Sequence, residues 1–195
     1  MTLLSLLEAA YMNDFIIRTA ALQDAPQLLS IYTPYARDTA ITFEYEAPSL
    51  EEFESRILCI LEKYPYLVAE KNGEILGFSY AGPFKARPAY DWAVETTIYI
   101  RQDQKLSGLG RKLYEALESI LIRQNIQNLY ACIAYSKTED EHLTHDSIHF
   151  HKRLGYQLIG EFHQYGYKFD RWYDMVWMEK HLGKHEVDPP PVFIR

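Results

Sequence analysis

Apolar and polar positions follow two rhythms along this chain, and the switches between them mark its elements. "FIIRTA" (15–20) has the short, β-rich pattern of a first strand. Asp24 stands where it can cap a helix running to about Tyr35, with Pro26 in the permissive first turn. Ser49, Leu50, Glu51 and Glu52 form a capping box, and "EEFESRILCILEKY" behind it carries apolar residues at helical spacing. "YLVAEKNGEILGFSYAG" (66–82) is the clearest hairpin, because Asn72-Gly73 can adopt the positive φ angles of a type I′ turn.

The period of two returns in "WAVETTIYI" (92–100), with Glu95, Thr97 and Tyr99 on one face and Val94, Thr96 and Ile98 on the other. Leu109, Leu113, Leu117 and Ile120 then trace the stripe of a helix ending near Arg123. "LYACIAY" (129–135) reads as a strand and "HDSIHFHKRL" (145–154) as a short helix stopped by Gly155. Two more strands are expected around 156–163 and 173–179. Alternating strands and helices with one hairpin predict an α/β or α+β domain built on a single sheet.

Length and charge narrow this picture. A chain of 195 residues suits one domain with a substantial core. Its net charge of −7 argues against nucleic acid or an anionic membrane as a partner. No apolar run approaches the ~20 residues needed to span a bilayer. Residues 1–14 resemble a signal peptide only briefly: a basic start is missing and Glu8 interrupts the apolar run, so they read as an N-terminal extension, with Met12 an alternative start. Residues 183–195 carry three successive prolines and are expected to form an extended, loose tail. Cys59 and Cys132 lie far apart in apolar surroundings, which suits a reducing cytosol and two plain core residues.

The chemistry concentrates after the 92–100 strand. Lys105, Leu106, Ser107, Gly108, Leu109, Gly110 and Arg111 join that strand to a helix N-terminus. Glycines there let several backbone N–H groups converge where the helix dipole already favours an anion, and phosphate is the natural guest. A P-loop would need G-x-x-x-x-G-K-[ST], which is absent, and a dinucleotide fingerprint would need glycine where Leu113 stands. A glycine-bearing helix start without a ligand is the competing reading. His145 and His149 have the spacing of a helical zinc pair, but Asp146 replaces the required Glu and a third ligand is not evident, so a metal is not expected.

The loop resembles the pyrophosphate loop of the GNAT acyltransferase superfamily, [QR]-x-x-G-x-[GA], with Lys105 at the Gln/Arg place. "HDSIHFHKRLGYQLIG" resembles that superfamily's region beside the pantetheine arm, with Thr144 where members usually carry Asn. "YAGPFKARPAYDW", "VETTIYI" and "GYKFDRWYDMVWMEK" resemble the phosphinothricin N-acetyltransferase branch, and the resemblance runs from about Phe15 to His181.

It implies a GNAT domain over 15–182: a central mixed, mostly antiparallel twisted sheet flanked by helices on both faces. It also implies acetyl-CoA as co-substrate, no metal, and a small amine as acceptor, in the cytoplasm. A homodimer is allowed. Ile98, Tyr99 and Ile100 would offer backbone groups to the pantetheine, the 105–111 loop would hold the pyrophosphate, and Thr144 and Ser147 would touch the arm. Glu95 is then the expected base, and His151 the expected proton donor to the leaving thiolate, against the alternative of a surface helix histidine. Phe43, Lys85, Arg87 and Tyr90 fall in the substrate-side loops, where Lys85 and Arg87 can bind an acidic group while Phe43 and Tyr90 wall the amine. The acceptor expected first is a small amino acid or analogue. A polyamine, an aminoglycoside, a protein N-terminus, or a non-catalytic acyl-CoA sensor are the other readings.

Overall fold

The computed structural model describes residues 15–105 and 107–193. The N-terminal extension expected at 1–14 lies outside the described residues, as do Leu106 and Ile194. Seven strands form one sheet: β1 (Ile16–Thr19), β2 (Tyr66–Lys71), β3 (Glu74–Pro83), β4 (Ala93–Ile100), β5 (Asn128–Tyr135), β6 (Gln157–Lys168) and β7 (Arg171–His181). Their spatial order is β1-β2-β3-β4-β5-β7-β6, and the β4–β5 pair alone is parallel. The mixed, mostly antiparallel sheet implied by the resemblance is therefore present.

Helices α1 (Ala25–Asp38) and α2 (Leu50–Leu61) cover one face of the sheet, burying Leu28, Ile31, Phe53 and Ile57 against Val68 and Phe78. Helices α3 (Leu109–Arg123) and α4 (Asp146–Arg153) cover the other, where Leu113, Leu117, Leu121 and Ile148 meet Val94, Leu129 and Val176. Among the described residues, no helix is long and apolar enough to cross a membrane.

Local signals explain most boundaries. Ser49 caps α2 by accepting from Glu52 N at 3.2 Å, while the Glu52 carboxylate turns to Arg56 instead of completing the box. Asn72 and Gly73 both have positive φ, as the hairpin requires. Asp24 precedes α1 but does not cap it. Its carboxylate instead takes a forked pair of hydrogen bonds from Arg18, at 2.7 and 2.9 Å, and one from Ala21 N.

Tertiary contacts move two boundaries. Helix α1 runs to Asp38 instead of stopping near Tyr35, because its last carbonyls find distant partners. The Thr39 hydroxyl donates to Tyr35 O, and the Lys168 ammonium, on a residue 3% exposed, donates to Ala36 O at 2.6 Å, Thr39 O at 2.7 Å and Thr42 O at 2.9 Å. Strands β6 and β7 are also longer than expected and meet at a two-residue turn, Phe169-Asp170, with φ of 51° and 55°. A phenylalanine tolerates that conformation here because its ring stacks on His142, centroids 3.6 Å apart.

The tail is not loose. It stays extended, but Val192 packs on the main core and the Pro190 and Pro191 carbonyls accept hydrogen bonds from Trp92 and Asn125.

The Lys168 anchor generates a stability prediction. Lys168→Met keeps an apolar stem but leaves three inward-facing carbonyls without their donor, so unfolding free energy should fall by about 3 kcal/mol. Urea unfolding measures this, and a loss below about 1 kcal/mol would show that the ammonium is not the anchor.

Candidate active site

The site begins where two strands part. β4 pairs with β5 only at Ala93, Val94 and Glu95, opposite Asn128, Leu129 and Tyr130. The Trp92 carbonyl closes the base of this short ladder by accepting Gln127 N at 2.9 Å and Asn128 N at 3.0 Å. Thr96 marks its end, with its hydroxyl donating to Tyr130 O at 3.2 Å. Beyond that point β4 keeps β3 on one edge, and its other edge is unpaired by β5. Backbone polar groups at such an edge must be met by water or by a ligand.

A cleft of 760 Å³ opens along this fork. Glu95, Ile98, Tyr99, Ser147, His151 and Phe43, expected from sequence, all line it. Ile100 does not, and its carbonyl already accepts the Tyr35 hydroxyl at 2.5 Å. One acceptor of the expected backbone edge is therefore engaged from within.

Glu95 is half-buried, and among the described residues its carboxylate has no hydrogen-bond or ion-pair partner. Burial pushes its pKa up, and the nearby charge of Lys85 pulls it partly back. A carboxylate that is desolvated but not neutralised is a stronger proton acceptor than one in water.

His151 is not on the surface. It is 3% exposed, and burial pushes its pKa down to about 4. Its Nδ1 lies 2.8 Å from the Ser147 carbonyl, which only accepts, so Nδ1 carries the proton. The bare Nε2 then accepts the Tyr114 hydroxyl at 2.9 Å. Thr96 Oγ1, 3.3 Å from the Tyr114 oxygen, receives the Tyr156 hydroxyl at 3.1 Å and gives its own proton to Tyr130. The chain Tyr156–Thr96–Tyr130 O and the pair Tyr114–His151 are satisfied without any formal charge, which is the least costly way to bury polar groups. The alternative of a surface helix histidine is therefore corrected: His151 is buried on the cleft wall and holds the Tyr114 hydroxyl.

The glycine-led start of α3 has the expected shape. Gly108 is the N-cap with φ of 81°, and the first helix hydrogen bond in the turn runs from Lys112 N to Gly108 O. The Gly110 and Arg111 amides have no residue within α3 to bond to, so they point outward at the positive end of the dipole. A side chain at Gly108 would meet open space, so glycine is needed there for conformation alone. At Gly110 an added Cβ would sit 3.1 Å from Phe150 and 3.5 Å from Ile98. Glycine there lets α3 pass close to Phe150 of α4. Lys105, Ser107 and Arg111 are exposed around the loop, the Lys105 ammonium lying over the Tyr35 ring at 5.8 Å.

Other sequence-derived residues fall outside the cleft. Thr144 is exposed and does not line it. Lys85 and Arg87 are exposed, with the Lys85 ammonium 5.3 Å from the Phe84 ring centroid. Tyr90 borders a second cavity of 610 Å³ against the C-terminal tail. His145 Nε2 is hydrogen-bonded to Ser136 O at 2.7 Å, and its ring centroid lies 6.3 Å from that of His149. A different trio, Glu161, His163 and Asp174, brings three potential ligand atoms within 4.8 Å on the β6–β7 hairpin, and none of them lines the cleft.

Sequence reading missed several lining groups. Tyr114, Thr96, Arg56, Glu44 and Tyr32 all border the cleft. Arg56 holds Glu44 at 2.7 Å and Glu52 at 2.5 Å, and Tyr32 donates to Glu44 at 2.9 Å. Cys59 and Cys132 face the cleft and are not core residues. The Cys132 thiol is nonetheless pushed up to about 12 by burial and by Glu95, which suppresses its thiolate. Strand alternation gave a signal for Cys132, since it shares the Glu95 face; Tyr114 had none, being one apolar-looking position on a helix.

Residues 17–177 match the Acetyltransferase (GNAT) domain family. The chain is 32% identical to a phosphinothricin N-acetyltransferase of Streptomyces viridochromogenes, covering 92% of each chain. It is also 32% identical to an L-methionine sulfoximine/L-methionine sulfone acetyltransferase of Pseudomonas paraeruginosa, over 89% of this chain and 98% of that one. The crystal structure of a GNAT superfamily phosphinothricin acetyltransferase from Sinorhizobium meliloti in complex with AcCoA superposes with a TM-score of 0.80. That pair shares 29% identity and covers 87% of this chain and 89% of that one.

The depressed His151 pKa gives a stability prediction with a definite sign. Between about pH 6.5 and 4 the unfolded chain binds a proton at this position that the folded chain refuses. Stability is therefore complete above about pH 6.5 and lost as pH falls toward 4, by up to about 3 kcal/mol. Unfolding midpoints from pH 7.5 to 4.5 should show this slope in the wild type and a flatter one in His151→Asn. Equal slopes would remove His151 as the titrating group.

Proposed function

The chain belongs to the GNAT acetyltransferase family and is an N-acetyltransferase; from that premise we propose that it acetylates the primary amine of a small amino acid or analogue, with acetyl-CoA as donor, by direct attack in a ternary complex. The observation that carries the reading is Glu95, a desolvated, unpaired carboxylate at the point where β4 leaves β5. Two named relatives that act on phosphinothricin and on methionine sulfoximine support the acceptor class.

Each part of the site then has a task. An amine reaches the enzyme as an ammonium and attacks only after losing a proton, which Glu95 accepts directly or through water. The free edge of β4 around Ile98 and Tyr99 offers backbone groups to the pantetheine amides, and an N–H near Ile98 serves as the donor to the acyl oxygen as it gains charge. The outward amides of α3 behind Gly108 take the pyrophosphate. Ser147 borders the arm from α4, and His151 acts only through Tyr114. Lys85 and Arg87 supply the cationic mouth for an acidic group on the acceptor, with Phe43 walling the amine and Tyr90 backing the loop.

A cytosolic setting fits a soluble thioester donor and two unpaired cysteines. A homodimer belongs to the same reading, with the outer strand β6 the surface open to a second copy; Leu158 and Phe162 there are about half exposed.

CoA release measured across a panel of amines decides the acceptor. Amino acids and their phosphinate or sulfoximine analogues should be acetylated in preference to polyamines and aminoglycosides, and a panel without any turnover would favour an acyl-CoA sensor.

Two substitutions test the roles. Glu95→Gln should retain acetyl-CoA binding while turnover falls by roughly 10²–10⁴-fold, most severely below the amine's pKa. Near-normal turnover at neutral pH would reduce Glu95 to a strand residue. Arg87→Ala should raise the acceptor KM by roughly 10- to 150-fold, the equivalent of one charge-assisted bond, and spare the acetyl-CoA KM. An amine lacking the acidic group should be a poor substrate and indifferent to that change.

A further inference from the structure

The loop carrying Lys85, Arg87 and Tyr90 has few ties of its own. Phe84 N donates to Ala93 O at 3.3 Å and closes the loop at its base. Within 85–91 the described hydrogen bonds are internal: Tyr90 N to Arg87 O, and Asp91 N to Pro88 O. The loop's position is therefore set at its two ends, by the Phe84 ring stacked on Tyr130 at 4.4 Å and by Trp92.

Trp92 is held from two sides. Its carbonyl receives the Gln127 and Asn128 amides at the base of the fork, and its indole N–H donates to Pro190 O at 2.8 Å. The Pro190 carbonyl belongs to the segment beyond β7, which crosses the α3–β5 connection. There the Asn125 side-chain amide donates to Pro191 O at 2.8 Å, Phe193 N donates to Gln124 O at 3.0 Å, and His185 Nε2 pairs with Asn128 Oδ1 at 2.6 Å. Successive prolines have no N–H, so such a segment can only accept, and the body must supply the donors. Trp92 and Asn125 do so. The prolines also leave little chain entropy to lose on docking. Between this segment and the loop lies the 610 Å³ cavity, walled by Phe84, Tyr90 and Trp92 on one side and by Pro189 and Pro190 on the other.

We propose that residues 183–193 form a strap that fixes the acceptor-side loop 84–92, with Trp92 as the positioning residue through which the strap acts on acceptor binding. The kinetic part rests on the amine-acetylation reading above; the mechanical part does not. The strap lies outside the 17–177 span matched to the family. Its proline carbonyls dock on two side-chain donors, Phe193 N and His185 add bonds of their own, and none of these contacts lies in the cleft.

The test uses the full-length double variant W92F/N125G. Phenylalanine keeps an aromatic ring and loses the donor, and glycine tolerates the φ of 63° that Asn125 adopts. Hydrogen exchange should speed at the tail amides, Phe193 among them, and at the amides of 85–91. The KM for the best amine of the panel should rise roughly tenfold, with the acetyl-CoA KM within about twofold of wild type. The strap is overturned by unchanged tail exchange, by faster tail exchange with an unchanged acceptor KM, or by both KM values rising together, which marks general loosening. If the wild type acetylates no amine, the functional reading fails separately. Exchange at 85–91 then decides the strap: it stands if those amides speed up with the tail and falls if they do not.

Discussion

The parallel pairing of β4 with β5 lasts for three residues and then ends, and the rest of the site depends on where it ends. A longer ladder would consume the β4 edge and close the cleft. A shorter one would detach the β5-β7-β6 half of the sheet from the β1-β2-β3-β4 half. The stopping point is held from behind. Thr96 gives its proton to the Tyr130 carbonyl, Tyr156 donates to Thr96, and Tyr114 joins α3 to His151 on α4. These bonds bridge the gap that the missing ladder bonds would otherwise span, so the strands can part without the sheet dividing. Glu95 is the last residue of β4 paired with β5, which puts its side chain at the deep end of the opening.

The electrostatics of this region follow from the same geometry. Behind the fork, four polar side chains are buried with protons distributed so that none carries a charge, and His151 is held neutral by burial. In front of it, one carboxylate is left half-desolvated without a partner, in the field of Lys85. A charged network behind Glu95 would have fixed its protonation state. A neutral one leaves its protonation to its own burial and to Lys85. The net charge of −7 says nothing of this arrangement, because the site depends on the placement of a few groups and not on their sum.

The 36–42 stretch and the 84–92 loop are both held by distant segments. The 36–42 stretch hangs on the Lys168 ammonium from the β6–β7 hairpin, and Phe43 lies over Gly166, where an added Cβ would come within 2.5 Å of its ring. The 84–92 loop is tied at Trp92 to the fork and to the tail. The first grip falls on carbonyls of the held stretch, the second on the Trp92 carbonyl and on the Trp92 and Phe84 side chains.

By itself the sequence determined what local physics controls: the order of elements, the Asn72-Gly73 hairpin, the α3 stripe, the glycine-led helix start, and Glu95 as an acid within an otherwise strand-like run. Those features rest on periodicity, capping and turn chemistry within a few residues of each other. Tertiary structure alone decided the protonation of His151, since burial between α4 and Tyr114 has no signature in an eight-residue helix. It also decided that α1 would run to Asp38 and that the tail would dock, because the partners, Lys168, Trp92 and Asn125, lie between 66 and 132 residues away in the chain. The cysteines reversed for the same reason: an apolar strand neighbourhood predicts packing, and only the opening of the fork turned that surface into the wall of a cleft.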